Sequence, residues 1–462
     1  MGKISKEIRR QFDATREYPY YLCNAPFCSM SFSLDGMVSP CCRNTSWHDN
    51  YPQRSISQIW KGETFNRYRK AIKSNIMPDS CACCESRLNK KEFFQPTVHQ
   101  YDMFKVKRIG KKKVQSIQLT PSIKCNLKCI MCNEMFSSQY EKIDTYDYGQ
   151  VYDNNFYEEL FSFIPDLKEI ICIGGETFLI DEYYTIWNKI LELNPSCKIS
   201  VATNGTILNE KIIDLIERGN FSINFSLDSL KKEVYESIRR NANFETVMHN
   251  MKIFGDMMHS QNKTMQVMAC AMKQNKYEIP DLLRFCNENG YHFIVLTIFR
   301  AMDVALWDLP SEELKELKQF YSLQKFGNIP ENLKTNINCY NDFIANMDVW
   351  IDAAQRKENF TNIFDLKNNL VPDLKRKLFD DMDKCMKDVS LTESEYKRKK
   401  DFIFTKFNKI LEEMPDFFNS NHFYLLLSKT SPDIIIEHLT LCNSNTFKKI
   451  IEECFYYCGM AH

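Results

Sequence analysis

From residue 114 the chain alternates short apolar runs with longer amphipathic ones. Residues 116–120, 169–173, 198–202, 221–227, 265–272 and 293–299 are strand-length stretches, and intervening segments such as Ile212-Ile213-Asp214-Leu215-Ile216 carry helical spacing. Six strand–helix units in succession predict a parallel sheet curled into a partial (βα)6 barrel, with ligands at the carboxyl ends of its strands. Along the fourth strand the period is two, Ser222, Asn224, Ser226 and Asp228 alternating with Ile223, Phe225 and Leu227. A strand inside such a sheet has no watery outer face, so the polar row is expected to line the site rather than the surface.

Different patterns flank this segment. Asp35-Gly36 between two short apolar runs predicts a hairpin that brings Cys28 and Cys41-Cys42 together, with Cys23 near the same end. Residues 56–60 and 65–72 read as amphipathic helices leading to Cys81, Cys83 and Cys84. After Arg300 the strand pattern stops, and Leu309-Pro310-Ser311-Glu312-Glu313 opens a helical stretch. Further on, Thr392-Glu393-Ser394-Glu395 reads as a capping box and Thr430-Ser431-Pro432-Asp433 as a helix start. The expected architecture is α/β: a small α+β module over 1–105, the barrel over 106–305 and a mostly helical region over 306–462.

Composition narrows the chemistry. The 60 basic and 60 acidic residues cancel, which argues against a broad basic face for nucleic acid. Nineteen cysteines follow a start, Met1-Gly2-Lys3-Ile4-Ser5-Lys6, without an apolar signal core. Reduced thiols or metal ligands in a cytoplasmic protein are therefore expected. No apolar run approaches the roughly 20 residues a membrane-spanning helix needs, so no membrane partner is expected.

The densest signal is Cys125-Asn126-Leu127-Lys128-Cys129-Ile130-Met131-Cys132, directly after the first barrel strand. Three thiolates at C-x3-C-x2-C spacing can hold three corners of an iron-sulfur cube and leave one iron open to a ligand. The bland alternative is a zinc knuckle, although zinc sites more often pair C-x2-C with a further Cys or His. Gly174-Gly175-Glu176-Thr177 follows the second strand, Thr203-Asn204-Gly205 the third, and Ser226-Leu227-Asp228 ends the fourth. Four polar signals at successive strand ends converge on one rim. Cys270 and Cys172 also fall on strands, where a small core residue is the simpler reading. Cys454 and Cys458 stand at helical spacing, as in a buried stripe.

These motifs over 114–300 resemble the radical S-adenosylmethionine (SAM) superfamily. The resemblance implies that Cys125, Cys129 and Cys132 hold a [4Fe-4S] cluster whose open iron chelates SAM. By the same resemblance Gly174, Gly175, Glu176, Asn204, Ser226 and Arg239 contact that cofactor, and Met131 stands where an aromatic residue usually meets adenine. Thr177 replaces the family's usual Pro. Upstream, Cys23-x12-Gly36-x4-Cys41 and Cys81-x2-Cys84, with Ala25-Pro26 and Ile59-Trp60, resemble the SPASM or twitch module. That likeness implies a second [4Fe-4S] cluster on Cys23, Cys41, Cys81 and Cys84, with Cys28, Cys42 and Cys83 spare, and a four-thiolate zinc ribbon stays open beside it. Most relatives carry the module after the barrel, whereas here it comes first.

The implied activity is reductive cleavage of SAM to a 5′-deoxyadenosyl radical that takes a hydrogen atom from a substrate. Related enzymes with such modules act largely on peptides, so a peptide-maturation oxidoreductase is expected, fed by flavodoxin or ferredoxin. A dehydrogenase or epimerase of a sugar or aminocyclitol is the alternative, and in an epimerase Cys270 could return the hydrogen atom. A non-catalytic zinc or iron-sulfur protein is the third reading. The helical region is expected to contribute substrate recognition or a lid.

Overall fold

In this computed structural model the described residues are 2–16, 21–44, 49–89, 91, 97–104, 106, 113–134, 136–140, 151–298, 301, 303–364, 371–387, 393–412 and 435–436. Thr392, the segment Thr430–Asp433, and Cys454 and Cys458 lie outside them.

In the main sheet three short strands come first, β1 (Ser29–Phe32), β2 (Met37–Ser39) and β3 (Asp49–Asn50). Six follow at the predicted places: β4 (Ser116–Leu119), β5 (Glu169–Cys172), β6 (Lys198–Thr203), β7 (Phe221–Ser226), β8 (Gln266–Ala271) and β9 (His292–Thr297). They form one nine-stranded sheet in the order β9-β8-β7-β6-β5-β4-β1-β2-β3. From β4 to β9 every neighbour is parallel, as crossover helices require. The predicted hairpin forms as β1 and β2, pairing Ser31 with Ser39 and Phe32 with Val38.

The hairpin does not stand apart from the barrel. β1 pairs parallel with β4, Ser29 opposite Ser116 and Phe32 opposite Leu119. Met30, Phe32, Val38, Ile59 and Phe65 belong to the same buried cluster as Trp187, Phe225 and Phe254 in the barrel. Residues 1–105 are thus split between two cores. A second cluster gathers Ile4, Phe12, Leu22, Phe27, Ile72, Leu88, Tyr101 and Phe104, with Cys23, Cys41 and Cys81 packed against it and Cys84 inside. Large side chains such as these contribute about 1.5–3 kcal/mol each when fully buried, so the satellite core is a real but smaller source of stability.

Alternation on β7 has the predicted sense, and β8 shares it, which puts Cys270 on the concave face rather than in the core. Phe221, Ile223, Phe225, Val267, Ala269 and Ala271 are buried, while Ser222, Asn224, Ser226, Gln266, Met268 and Cys270 are half-buried. The buried set packs on crossover helices including Asp181–Leu193, Glu210–Arg218 and Phe244–Ser260, leaving the polar set on the concave face. On that face Gln266 donates to Asn224 at 2.8 Å, and Asn224 donates to Ser200 at 3.1 Å.

The region after residue 305 is mostly helical where described, with Ser311–Ser322, Lys334–Phe364, Val371–Lys387 and Glu393–Glu412. Its long second helix seals the β9 edge. Asn336, fully buried, accepts from Phe293 N at 2.8 Å and donates to Tyr291 O at 2.9 Å, satisfying edge groups that would otherwise pair elsewhere. Leu314, Tyr321, Tyr340, Phe343 and Met347 enter the barrel's core.

Candidate functional site

The three-cysteine loop is built by close approaches of backbone from neighbouring strand ends. Gly174, at φ +111°, and Gly175 lie directly under the segment before Cys125. A Cβ would come within 2.2 Å of Ser122 O at Gly174 and within 2.1 Å of Lys124 O at Gly175. Only glycine permits this contact, and Glu176 N then donates to Lys124 O at 2.8 Å. The far side of the loop is held by Ser138 and Gln139. Cys125 N donates to Ser138 Oγ at 3.0 Å, and Gln139 Nε2 donates to Cys125 O at 2.8 Å.

The loop's second half pairs with the end of helix Lys232–Ile238. Arg239 stands opposite Cys129, Arg240 opposite Lys128, and Ile130 N donates to Ile238 O at 2.9 Å. Arg239 is thereby carried under the cysteines. Its Nε donates to Asp228 at 2.7 Å, in an ion pair with both partners nearly closed to solvent. The other oxygen of Asp228 accepts from Cys270 N at 2.7 Å, tying the ends of β7 and β8 to the same arginine.

Glu176 is fully buried. Its carboxylate accepts from Thr203 Oγ1 at 2.8 Å, Asn204 N at 2.6 Å and Phe178 N at 3.2 Å. Burial pushes its pKa up from the ordinary carboxyl value, and these donors pull it partly back. Thr177 donates to Ala202 O at 2.6 Å and fastens the same turn to β6. Asn204 reaches the cysteine loop, its Nδ2 3.0 Å from Asn126 Oδ1, while Asn126 donates to Thr206 at 2.8 Å. The Gly-Gly-Glu-Thr and Thr-Asn-Gly turns therefore shape the loop.

Of the remaining expected residues, Met131 is half-buried against the barrel core, and Ser226 is half-buried at the end of β7 opposite Met268. Cys270 lies within electrostatic reach of Cys129, Cys132, Asp228 and Arg239, so the fold brings it to the site. Cys172 is a core residue, buried and accepting from Trp187 Nε1 at 3.4 Å.

Burial pushes up the thiols of Cys23, Cys41, Cys125 and Cys132, and those of Cys129 and Cys81 to about 12. A buried thiol gives up its proton when a metal takes the proton's place. Cys23 feels Cys41, Cys81 and Cys84, so the four expected together are gathered in the satellite core. Cys28 donates to Asn24 O at 3.2 Å within its own helix, and Cys42 is exposed. The side chain of Cys83 lies outside the described residues. Among the described residues no three His, Cys, Asp or Glu groups converge tightly enough for a single ion, a convergence that a cluster with each thiolate on its own iron does not require.

Sequence reasoning gave no role to Tyr235. Its hydroxyl is buried without a hydrogen-bond partner among Arg239, Asp228, Cys129 and Glu176. An unpaired buried phenol is costly, and a cluster on Cys129 would offer it sulfur acceptors. The donor set therefore fits the cluster. Tyr235 lies four residues before Arg239 on helix Lys232–Ile238 and the following turn, a spacing that could have flagged it once Arg239 was singled out.

Residues 119–286 match the sequence model of the radical SAM superfamily. Residues 23–85 match the SPASM iron-sulfur cluster-binding domain, so the auxiliary module precedes the barrel. The two domains imply SAM and [4Fe-4S] clusters as cofactors. Curated relatives include a probable GTP 3′,8-cyclase of Methanothermobacter marburgensis, 27% identical over 194 residues, 41% of this chain and 60% of that protein. A GTP 3′,8-cyclase of Clostridium perfringens is 25% identical over 191 residues, 38% of this chain and 53% of that protein. The chain thus spans little more than half the length of these relatives. Among solved structures, Streptococcus suis SuiB bound to precursor peptide SuiA is 17% identical over 58% of each chain with a TM-score of 0.34. Native anSMEcpe with bound AdoMet is 17% identical over 45% of this chain and 59% of that one, with a TM-score of 0.35. No helix among the described residues is long and apolar enough to cross a membrane.

Proposed function

We propose that the chain is a radical SAM oxidoreductase that takes a hydrogen atom from a peptide substrate held over the barrel rim. The carrying observation is the convergence of Cys125, Cys129 and Cys132 with Glu176, Asn204, Asp228, Arg239 and Cys270 at the carboxyl ends of the parallel strands. In this reading the three cysteines hold the cluster, and Gly174, Gly175, Met131, Ser226 and Arg239 surround the cofactor. When bound, cluster and SAM together supply one-electron cleavage to a 5′-deoxyadenosyl radical.

The chain's own residues fix the position of that chemistry. Glu176 locks the ends of β5 and β6 to one another, the Asp228–Arg239 pair holds the cysteine loop over β7, and Tyr235 keeps an unpaired hydroxyl within electrostatic reach of Cys129. The half-buried row of Asn224, Ser226, Gln266 and Met268 lines the concave face on which a substrate would rest. Cys23, Cys41, Cys81 and Cys84 would hold a second cluster able to accept the substrate's electron, with flavodoxin or ferredoxin as reductant of the first.

The peptide reading rests on the SPASM-type module at residues 23–85. A small-molecule substrate is favoured instead by the relatives named GTP 3′,8-cyclase. Anaerobic reconstitution is expected to give about eight irons per chain and reductant-dependent 5′-deoxyadenosine. Mass spectrometry then separates the two substrates: a co-expressed peptide losing hydrogen supports the first, and conversion of GTP with no peptide change overturns it. Zinc in both sites with no SAM cleavage would sink the enzyme reading altogether.

A further inference from the structure

A cavity of about 590 Å³ lies outside the radical site, along helix Glu63–Lys73 and the end of helix Ile56–Lys61. Its walls include Trp60, Lys61, Asn66, Arg69, Lys70 and Lys73, four of them cationic and none acidic. Lys61, Lys70 and Lys73 are exposed.

Arg69 is the anomaly. It is only 7% exposed, yet among the described residues no carboxylate pairs with it. Its Nε donates to Pro26 O at 2.8 Å and its Nη1 to Asn66 Oδ1 at 3.0 Å, while Nη2 has no partner. The guanidinium lies over the Trp60 ring, 4.2 Å from its centroid, which fixes the plane of the fork. A buried cation without a counter-ion is costly, and burial alone lowers its pKa to about 10. Pro26 belongs to the short helix Ala25–Cys28, so the cation braces the segment that follows Cys23.

We propose that this cavity binds an oxyanion, the phosphate or carboxylate group of a ligand, with Arg69 as the buried counter-charge and Lys70 and Lys73 as the outer ones. The cavity has the size of ordinary ligand sites and exceeds what a lone oxyanion fills, so the group is one end of a larger molecule. Asn66, exposed and bonded to the fork through its side chain, is the residue an incoming anion displaces. The site is independent of the substrate assignment, because it lies on the module's helices rather than on the barrel rim.

Titration calorimetry on the full chain with its clusters, using inorganic phosphate and a tri-glutamate peptide as probes, tests this. Saturable binding of either is expected, stronger for phosphate if a phosphate ester is the ligand and stronger for tri-glutamate if an acidic peptide is. Arg69→Gln is expected to weaken the bound probe about ten-fold or more. Should that variant not fold, Lys70→Gln with Lys73→Gln, both exposed, is expected to weaken binding several-fold with iron content and melting unchanged. Absence of heat with both probes, or affinity untouched in the lysine variant, would overturn the proposal.

Discussion

The two cysteine sets are built in opposite surroundings. Cys125, Cys129 and Cys132 sit in a loop stitched by Asn204, Asn126, Ser138 and Gln139, beside the buried charges of Asp228, Arg239 and Glu176. Cys23, Cys41, Cys81 and Cys84 lean on Phe27, Leu22 and Tyr101 in a satellite core of their own. A polar, donor-rich surround suits a site that must accept a charged cofactor and release its products. An apolar one suits a metal group that stays in place and exchanges electrons.

Four tests would break or sharpen this contrast. Cys129→Ser is expected to abolish 5′-deoxyadenosine formation, whereas Cys81→Ser should leave it and stop substrate oxidation. Equal loss in both, with the fold intact by circular dichroism, would erase the division. Gly175→Ala forces a Cβ into Lys124 O, 2.1 Å away, and should misplace the loop enough to cost about a hundred-fold in cleavage rate while the auxiliary iron stays bound. Arg239→Met strands the Asp228 carboxylate in the interior and should cost about 3–5 kcal/mol in denaturant unfolding. Replacing Asp228 by Asn as well should recover part of that loss. Thr177→Val removes one hydrogen bond to Ala202 O and should cost about 1 kcal/mol, the smallest change of the four.

The helical region teaches a related lesson about separability. A lid would be removable, yet Tyr321, Tyr340 and Phe343 lie in the barrel's core and Asn336 seals the β9 edge. Deleting residues 310–462 would therefore strip the barrel as well as any lid. A cut after residue 364 keeps these contacts and is the cleaner test of substrate recognition by the tail.

Much of the fold was legible because it is local. The six barrel strands announced themselves through apolar runs of strand length, and the turn at Asp35-Gly36 announced the first hairpin. What stayed hidden depended on contacts distant in sequence. Nothing in the run 29–39 says that β1 will extend the barrel sheet beside β4, about 85 residues later, because parallel pairing leaves no turn signature. Tyr235 reads as one more helical aromatic until the chain closes over it and leaves its hydroxyl unpaired.

By itself, then, the sequence determined the periods, the cysteine spacings and the glycines at strand ends, since these follow from backbone geometry over a few residues. Tertiary structure decided which partners those residues meet. It turned Gly174-Gly175 into a seat for the cysteine loop, joined Asp228 to Arg239 and Cys270, split the amino-terminal module between two cores, and left Arg69 charged and unaccompanied in a cavity. The physical reason is that burial and charge pairing are properties of places assembled from several segments, and no single segment carries them.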